Sequence, residues 1–396
     1  MKKNILLIHI RRGYPLGTES GDKIRTLNMA TSLYEMGYNV VLLNFFTQGF
    51  FGYKKEKSSL PPYLKSIFIF TIPNRFHLQK LAVWYRAVIT WFFCKLYSID
   101  FIQAELASAS TCARLVPNIP LITDFHSDIA PEAEMDQYDS YLVRHAEDEN
   151  RYALLRSCKT ITVSTNLWKN LAVYGKSCAA NYILPCNFDA KPFLELASDQ
   201  RNVLREKLAL NDRLVLCYSG GLHVWQCIAE TLDLVIRLRK RNPAYFLCLF
   251  TNDDIMPYAK QLRELEGHYM VKGLKREEVP AYLSVVDVGF VLRANSLVNL
   301  NSSPTKTSEY LAAGAMVVAT RYAGDAPNLI KDCGNGVVLD ELCLSEEELE
   351  ALDDSILYYV RNYSKKSLEV KNFVFKNRVW SSNEEKLKVL YKSLDV

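Results

Sequence analysis

The sequence lacks several features that would identify a protein class at once. None of its ten cysteines forms a C-x-x-C pair, which disfavours zinc sites and disulfide frameworks and favours scattered thiols in a reducing compartment. Only 16 of 396 residues are glycine, and no repeat or low-complexity stretch occurs, so collagen-like, coiled-coil and disordered classes are excluded. No apolar run approaches the ~20 residues of a spanning helix, and no signal peptide is evident. We expect a cytoplasmic protein whose membrane contact is at most peripheral, on the inner face of the cell membrane.

Net charge is also small, at +4, but it is unevenly distributed. Residues 1–95 contain 14 basic and 4 acidic residues, whereas residues 96–195 contain 8 basic and 13 acidic residues. A basic N-terminal quarter indicates an anionic partner: a membrane surface, a nucleic acid or a phosphorylated substrate. Nucleic acid is the weakest of the three, because no recognisable nucleic-acid-binding module accompanies the charge.

Short apolar runs alternate with helical patterns along the whole chain. The runs at 4–10, 39–46, 101–104 and 121–124 predict buried strands, and those at 213–218, 245–250, 287–292 and 315–320 repeat the scheme. Strands that are apolar on both faces and separated by helices predict parallel sheets covered on both sides. With ~100–200 residues per domain, we expect two doubly wound α/β domains, over 1–195 and 196–378, and a final helical piece over 379–396. Ligands of such sheets bind at the carboxyl ends of the strands.

The most informative segment lies between residues 299 and 320, which read NLNSSPTKTSEYLAAGAMVVAT. A polar loop with Pro304 opens a helix there, and the free amides of a helix N-terminus attract anions. Lys306 lies in the first turn, where the helix dipole favours an acid, so its charge makes sense beside a bound phosphate. Glu309 lies on the same face, and its carboxylate suits ribose hydroxyls. An ordinary helix with a solvated Lys–Glu pair remains equally open on these residues alone.

The run SPTKTSEYLAAGAMVVAT at 303–320 resembles the donor-site segment of glycosyltransferase family 4, retaining enzymes with the GT-B fold. The resemblance extends over most of the chain. Its other matching segments are Gly21 with Arg25, 163–175, 184–189, 218–221, 287–293 and Trp380. It implies two Rossmann-like domains facing across a cleft and a C-terminal helix that packs back on the first domain. It also implies a nucleotide-sugar donor as substrate and no cofactor.

Roles transfer residue by residue from this resemblance. Lys306 would hold the donor diphosphate and Glu309 the ribose. The backbone at Ser303, Pro304 and Thr305 would contact the phosphates or the departing sugar. Displacement of the diphosphate with retention would then rest on fixed positive charge. No metal is implied, since no Asp-x-Asp motif ends a strand.

Three further positions are implied in the two domains. Gly221 would let the nucleotide lie close to the first turn of the second domain, and Gly21 would let the first domain approach the diphosphate. His126, which follows a strand, would face the transferred sugar. A lone histidine is often a satisfied structural residue, so both interpretations of His126 are kept.

The sequence departs from the family pattern at two places. Asn301 stands where the family often has a glutamate near the sugar, and an amide cannot stabilise positive charge. The family's basic pair after the first strand of the second domain is replaced by Gly220, Gly221 and 225–226. Arg293 is then a candidate second cation for the diphosphate, with a salt bridge at a strand end as the alternative.

Residues 76–97 predict an aromatic helix with basic residues and no acid. Lys80, Trp84, Arg86, Trp91 and Lys95 would form a surface for anionic lipid or acceptor. The aromatic and basic residues at 50–55 add to it. A core helix of the first domain with flanking cations is the alternative, and the pattern does not separate the two.

Taken together, these residues predict a glycosyltransferase that moves a sugar from a nucleotide sugar to a glycan or lipid-linked acceptor in polysaccharide or lipopolysaccharide assembly. A catalytically weak nucleotide-sugar-binding or scaffold protein is the main alternative, motivated by Asn301. An epimerase or phosphorylase on the same fold is a third.

Overall fold

A computed structural model describes residues 2–10, 21–47, 60–72, 78–177 and 179–394. Within these ranges the chain divides into two compact units. The first unit contains the chain up to Leu184 together with the residues from Glu384 onward, and the second contains Pro185–Asn383.

The first unit is built on a seven-stranded sheet in the described residues, and every pairing in it is parallel. Its strand order, β3-β2-β1-β4-β5-β6-β7, places β1 beside β4 at the point where the order reverses. The strands are β1 (Asn4–Ile10), β2 (Asn39–Phe46), β3 (Lys65–Phe70), β4 (Phe101–Glu105), β5 (Leu121–Phe125), β6 (Lys159–Thr162) and β7 (Ala180–Ile183). The five central strands β1, β2, β4, β5 and β6 are almost wholly buried, as their apolar composition predicts.

Helices cover this sheet. They are α1 (Gly21–Glu35), α2 (Gln79–Leu96), α3 (Leu106–Ser110), α4 (Ile129–Met135), α5 (Ser140–Arg156) and α6 (Thr165–Leu171), with short 3₁₀ turns at Thr111–Leu115 and Ala172–Tyr174. Side-chain caps fix the starts of three of them: Asp128 accepts from the Ala130 amide, Asp139 from the Tyr141 amide and Ser164 from the Leu167 amide.

The second unit has a six-stranded sheet of the same design, β10-β9-β8-β11-β12-β13, again parallel. Its strands are β8 (Leu214–Ser219), β9 (Tyr245–Phe250), β10 (Tyr269–Lys272), β11 (Val288–Val291), β12 (Met316–Thr320) and β13 (Gly336–Leu339). The strand β13 was not predicted from the sequence. Its apolar run, Val337–Leu339, is only three residues long, and only Leu339 of the strand is buried.

Ten helices in the described residues surround the second sheet. They are α7 (Lys191–Leu194), α8 (Gln200–Lys207), α9 (Ile228–Arg241), α10 (Ala259–Glu264), α11 (Val279–Leu283), α12 (Leu297–Asn301), α13 (Thr305–Ala313), α14 (Ala326–Cys333), α15 (Glu346–Arg361) and α16 (Tyr363–Asn377). Short 3₁₀ turns occur at Val224–Gln226, Met256–Tyr258, Arg276–Glu278 and Trp380–Asn383.

One glycine decides how α13 packs on its sheet. A Cβ on Gly289 in β11 would lie 2.3 Å from the ring of Tyr310, a distance that no real side chain tolerates. The ring therefore lies directly on the strand, and its hydroxyl accepts a hydrogen bond of 2.8 Å from the Ser219 amide. This contact ties α13 to the end of β8, which fixes the first turn of the helix over the sheet edge.

The unit boundaries lie at 184/185 and 383/384, whereas the sequence indicated 195/196 and 378/379. Backbone hydrogen bonds explain the difference. Phe188 donates to Arg378 and accepts from Trp380, so the segment that enters the second unit pairs with the segment that leaves it. Phe188 is 1% exposed within the core of that unit. The terminal helix α17 (Glu384–Lys392) belongs to the first unit, where the Tyr391 hydroxyl donates to Gln103 on β4.

Among the described residues, no helix combines the length and the apolar character needed to cross a membrane.

Candidate functional site

Ligands of such sheets bind outside the carboxyl ends of the strands where the order reverses, which in the second sheet is between β8 and β11. Gly220 follows β8, Arg293 follows β11, and α13 begins at Thr305. The loop before α13 is held from several sides. The Ser303 hydroxyl accepts from the Cys186 amide at 3.1 Å and donates to Asp325 at 2.9 Å. Asp325 in turn pairs with Arg378 at 2.8 Å, so the side chain of Ser303 has a structural role.

Lys306 projects from the first turn of α13 over the turn that follows β8. Its ammonium donates to the Tyr218 hydroxyl at 3.1 Å and to Gln226 Oε1 at 2.9 Å. It also lies 4.2 Å from the centre of the Tyr218 ring, a cation–π distance. Gly220 has a φ of +130°, and a Cβ there would lie 3.1 Å from the ammonium. Glycine at position 220 therefore allows the backbone conformation of the turn and leaves room for the Lys306 ammonium.

Arg293 is a second cation at the same edge. Its side chain donates to the Trp225 carbonyl at 3.0 Å, and its residue is 5% exposed. Neither Arg293 nor Lys306 forms a salt bridge with any residue in the described part of the chain, so the salt-bridge alternative for Arg293 is not observed. Burial lowers the pKa of Arg293. Burial, and then the charge of Arg293, hold the pKa of Lys306 well below its usual value.

Two like charges held close together without a salt bridge are costly unless an anion joins them. The amides of the first turn of α13 add partial positive charge at the same place. Glu309 lies one turn further along α13 and is partly buried. Burial raises the pKa of its carboxyl group, whereas the charges of Arg276 and then Lys306 lower it. The edge therefore combines an anion site with a hydrogen-bond acceptor nearby.

Apart from Gly21, which belongs to the first unit, the remaining positions predicted for donor binding also lie in this region of the second unit. Asn301 ends the short helix α12 and is buried, Pro304 is the N-cap of α13, and Thr305 is its first residue. Gly221 lies in the turn after β8, where the Leu222 amide donates to Asp253 at 2.7 Å. A Cβ on Gly221 would lie 3.3 Å from that same carboxylate. A side chain there would crowd the turn.

The first sheet carries its own set of polar groups at its reversal point. Glu105 on β4 and Asp124 on β5 are register partners and are buried at 1% and 0% exposure. Arg25 from α1 grips Asp124 with two hydrogen bonds, of 2.7 and 2.9 Å. His126 follows β5, and its Nδ1 lies 3.7 Å from Oε2 of Glu105. Gly21 is the first residue of α1. A Cβ added at this position would have no atom within 4 Å, so no described contact requires a glycine there.

Burial governs the protonation of this cluster. Burial, and next the charge of Asp124, raise the pKa of Glu105 to about 8. Burial also lowers the pKa of His126 to about 4, against the attraction of Asp124. Near neutral pH the cluster therefore contains a protonated carboxyl beside a neutral imidazole.

Glu105, Asp124 and His126 each offer one atom within 4.8 Å of the others, as a metal site would. However, both oxygens of Asp124 already accept from Arg25, and a guanidinium beside the site repels a cation. The donor set fits a hydrogen-bonded cluster better than a metal centre.

The aromatic helix α2 has two distinct faces. Residues that pack inward include Gln79, Ala82, Val83, Ala87, Thr90 and Cys94. Leu81, Trp84, Tyr85, Val88, Trp91, Phe92 and Leu96, the apolar stripe of α2, are between 37% and 57% exposed. Lys80 and Lys95 are exposed as well. The helix is thus both a core element and an exposed apolar surface.

The prediction that Arg86 belongs to this surface is wrong. Arg86 is 3% exposed, because at 100° per residue it falls on the inward face with Ala82 and Ala87. Its charge acts on the buried thiol of Cys112, whose pKa burial raises to about 11. The residues at 50–55, and 76–77 at the predicted start of the helix, lie outside the described residues.

Sequence reasoning missed the partners that set these groups in place. Tyr218 and Gln226 hold Lys306, although in the sequence 225–226 is notable only as the place where the family's basic pair is missing. Glu105 also went unnoticed. A carboxylate at the end of a wholly buried strand was the available signal, and it was present in the run FIQAE.

No protein-family model matches the sequence, and no curated protein matches it. Solved structures resemble it over almost the full length at low identity. A sucrose-phosphate synthase from Thermosynechococcus elongatus has a TM-score of 0.74 at 16% identity, covering 99% of each chain. HepE from Anabaena, in complex with UDP, has a TM-score of 0.73 at 14% identity, covering 99% of this chain and 100% of that one. WaaG, a glycosyltransferase involved in lipopolysaccharide biosynthesis, has a TM-score of 0.73 at 12% identity, covering 97% and 99%. The chain therefore has the GT-B fold, which confirms the predicted fold class.

Proposed function

We propose that this chain is a retaining, metal-independent glycosyltransferase of the family 4 type. It transfers a sugar from a nucleotide-sugar donor to a glycan or lipid-linked acceptor in cell-surface polysaccharide biosynthesis. The observation that carries the proposal is the pair of cations, half-buried Lys306 and buried Arg293, at the carboxyl edge of the second sheet; neither forms a salt bridge within the described residues. The solved complexes of HepE with UDP and UDP-glucose support a nucleotide-sugar donor.

The residues of the second unit suit departure of a nucleoside diphosphate. As the bond from the anomeric carbon to the phosphate oxygen breaks, that oxygen gains negative charge. Lys306 and the amides at the start of α13 stabilise this charge, and because they are already held in place, little reorganisation is needed. The side chains of Lys306 and Arg293 can neutralise the negative charge of the diphosphate, so the proposed reaction needs no metal ion. Glu309 accepts hydrogen bonds from the ribose, and His126 of the first unit is assigned to the transferred sugar.

Thermal unfolding against a panel of nucleotide sugars tests the proposal. A donor at about 100 times its Kd adds ~2.7 kcal/mol, so the second unit should melt roughly 5–10 °C higher. Nucleosides without phosphate serve as the control, because they cannot engage Lys306. If no nucleotide sugar or nucleoside diphosphate stabilises the chain, the donor site is wrongly assigned.

A nucleotide-sugar-binding scaffold without turnover is the second candidate, favoured by the neutral amide of Asn301 where a carboxylate is usual in the family. Both candidates predict thermal stabilisation by donor. Only the transferase releases nucleoside diphosphate when an acceptor glycan is added. An epimerase or phosphorylase would not show that dependence.

We further propose that the apolar stripe of α2 lies on an anionic membrane surface, which would bring a lipid-linked acceptor to the enzyme. A continuous row of exposed Trp, Phe, Leu and Val along a helix is typical of interfacial helices. Lys80 and Lys95 flank the row, and no acid occurs in the described residues from 60 to 99. Anionic lipid therefore fits both the apolar and the charged parts of this face.

Co-sedimentation with vesicles that contain an anionic phospholipid tests this surface. Near an anionic bilayer each lysine contributes about 1 kcal/mol, so Lys80→Glu with Lys95→Glu should weaken binding roughly thirty-fold or more. Trp84→Ser with Trp91→Ser should weaken it at any salt concentration, and higher salt should weaken the unaltered protein. Leu368→Ser, which changes an exposed apolar residue of α16, is the matched control. Vesicle binding that is unchanged by salt and by both double variants would contradict the proposal.

A further inference from the structure

The buried cluster of the first unit is a chain of polar side chains that leads to His126. Four side chains follow one another from the terminal helix to the loop after β5. The Tyr391 hydroxyl donates to Oε1 of Gln103, and the Gln103 amide donates to Oε1 of Glu105 at 3.2 Å. Oε2 of Glu105 is buried without a hydrogen-bond partner in the described residues and lies 3.7 Å from Nδ1 of His126. Both ring nitrogens of His126 are likewise buried and unpartnered there.

The direction of each donor fixes the next one. Because the Gln103 carbonyl oxygen accepts from Tyr391, its amide hydrogens face Glu105. Because Oε1 of Glu105 accepts from that amide, a proton on the carboxyl group belongs on Oε2. Oε2 is the oxygen that faces Nδ1, and the gap is about 0.8 Å longer than a hydrogen bond. A small side-chain rotation closes it.

We propose that Glu105 is a positioning residue: its protonated carboxyl donates to Nδ1 of His126 and holds the imidazole as the Nε2–H tautomer. Nε2 then carries a buried hydrogen-bond donor that has no partner among the described residues. The structural part stands on the cluster alone, and only its consequence for catalysis rests on the proposed transferase function. The chemistry that Nε2–H recognises is a hydroxyl oxygen of the transferred sugar.

The charges around Glu105 act in both directions: burial, Asp124 and Asp22 favour the protonated carboxyl, whereas Arg25 favours the ionised form. Asp124 lies beside it on β5, but its charge is committed to Arg25 of α1. Asp22, also on α1, pairs with His9 of β1 at 3.5 Å. Tyr391 of α17 keeps its proton, because burial and then Glu105 raise its pKa well above the usual value. Burial raises the pKa of Glu105 to about 8, in agreement with the geometry.

Loss of the proton from Glu105 reverses the arrangement. The carboxylate can only accept, so the imidazole must offer Nδ1–H, and Nε2 becomes an acceptor. No proton is gained or lost by the ring, since the tautomer exchange moves one proton from Nε2 to Nδ1 through solvent. We expect the change near pH 8.

Imidazole ¹⁵N resonances of the full chain, labelled at histidine, test the proposal directly. The protein has six histidines, and a His126→Gln variant assigns the signals. At pH 6.5 His126 should be the Nε2–H tautomer, and it should move toward Nδ1–H with a midpoint near pH 8. In Glu105→Gln the side chain donates at every pH, so the tautomer should no longer respond between pH 6 and 9.5.

Glu149→Gln is the matched control, because it alters another buried glutamate that faces a histidine, His145, at 3.3 Å. It should leave the His126 signals unchanged. A His126 tautomer that is insensitive to pH in the unaltered protein, or identical in Glu105→Leu, would overturn the proposal. Glu105→Gln keeps the size of the side chain, so the test survives if the leucine variant fails to fold.

Turnover supplies a second readout. With donor and acceptor saturating, kcat of the unaltered protein should fall about tenfold per pH unit above 8, and Glu105→Gln should lack that fall. A purely structural glutamate would lower kcat equally at all pH values. Because the resonances need no substrate, a chain without transferase activity would still confirm or refute the tautomer.

Discussion

Lys306→Met is expected to lower transferase turnover by roughly 10²–10³-fold, the usual effect of removing one preorganised donor at a site of developing negative charge. Methionine keeps the length of the side chain but cannot hold the leaving phosphate. The fold should survive, because Lys306 is a cation placed beside Arg293 at an energetic cost, and its partners Tyr218 and Gln226 also hydrogen-bond to each other at 3.0 Å. Release of nucleoside diphosphate, measured with acceptor present, reports the loss.

Lys331→Met is the control for this experiment. It removes a lysine that is exposed in the last turn of α14 of the same unit, so turnover should stay within about two-fold. A Lys306→Met protein that keeps its turnover would show that the pair of cations does not act on the leaving group. If turnover were absent from the unaltered chain while its cellular role survived Lys306→Met, the scaffold candidate would replace the transferase.

Arg25→Met is expected to destabilise the first unit by about 3–5 kcal/mol, which is typical when one partner of a buried ion pair is removed. The Asp124 carboxylate, at 0% exposure, would lose both of its guanidinium hydrogen bonds and keep its burial. Glu105 would lose the nearest charge that favours its ionised form. In urea unfolding followed by circular dichroism, the transition of the first unit should shift down by roughly 1–2 M.

An exposed pair provides the comparison. Arg151 and Asp148 lie 2.7 Å apart, with side chains 51% and 69% exposed, so Arg151→Met should cost no more than ~0.5 kcal/mol. Equal stability losses for the two variants would mean that water reaches Asp124 and that the cluster is open.

The fold was predictable because its signal is repeated many times. Each buried strand of a parallel sheet is an apolar run of 4–8 residues, and such runs alternate with helices along both halves of the chain. The order of the strands in each sheet could not be predicted, because it depends on pairing between segments that are distant in the sequence. The strand β13 could not be recognised in the sequence because its apolar run, Val337–Leu339, is only three residues long.

The candidate site was only partly predictable. Lys306 and Glu309 follow from local spacing on one helix. Gln226, which holds Lys306, lies eighty residues away, and only the fold brings the two together. Arg86 shows the opposite problem. In α2 large apolar residues occur on both faces, so periodicity cannot tell which face is inward, and a buried arginine looks the same in sequence as an exposed one.

The path of the chain between the two units has a consequence for synthesis on the ribosome. The second unit is continuous, from Pro185 to Asn383, and is inserted between Leu184 and Glu384 of the first. The first unit therefore cannot complete its core until α17 has been translated, some two hundred residues after β7. We expect the later unit to finish folding first. Until then Gln103 lacks its hydrogen bond from Tyr391, and the polar cluster on β4 and β5 is incomplete.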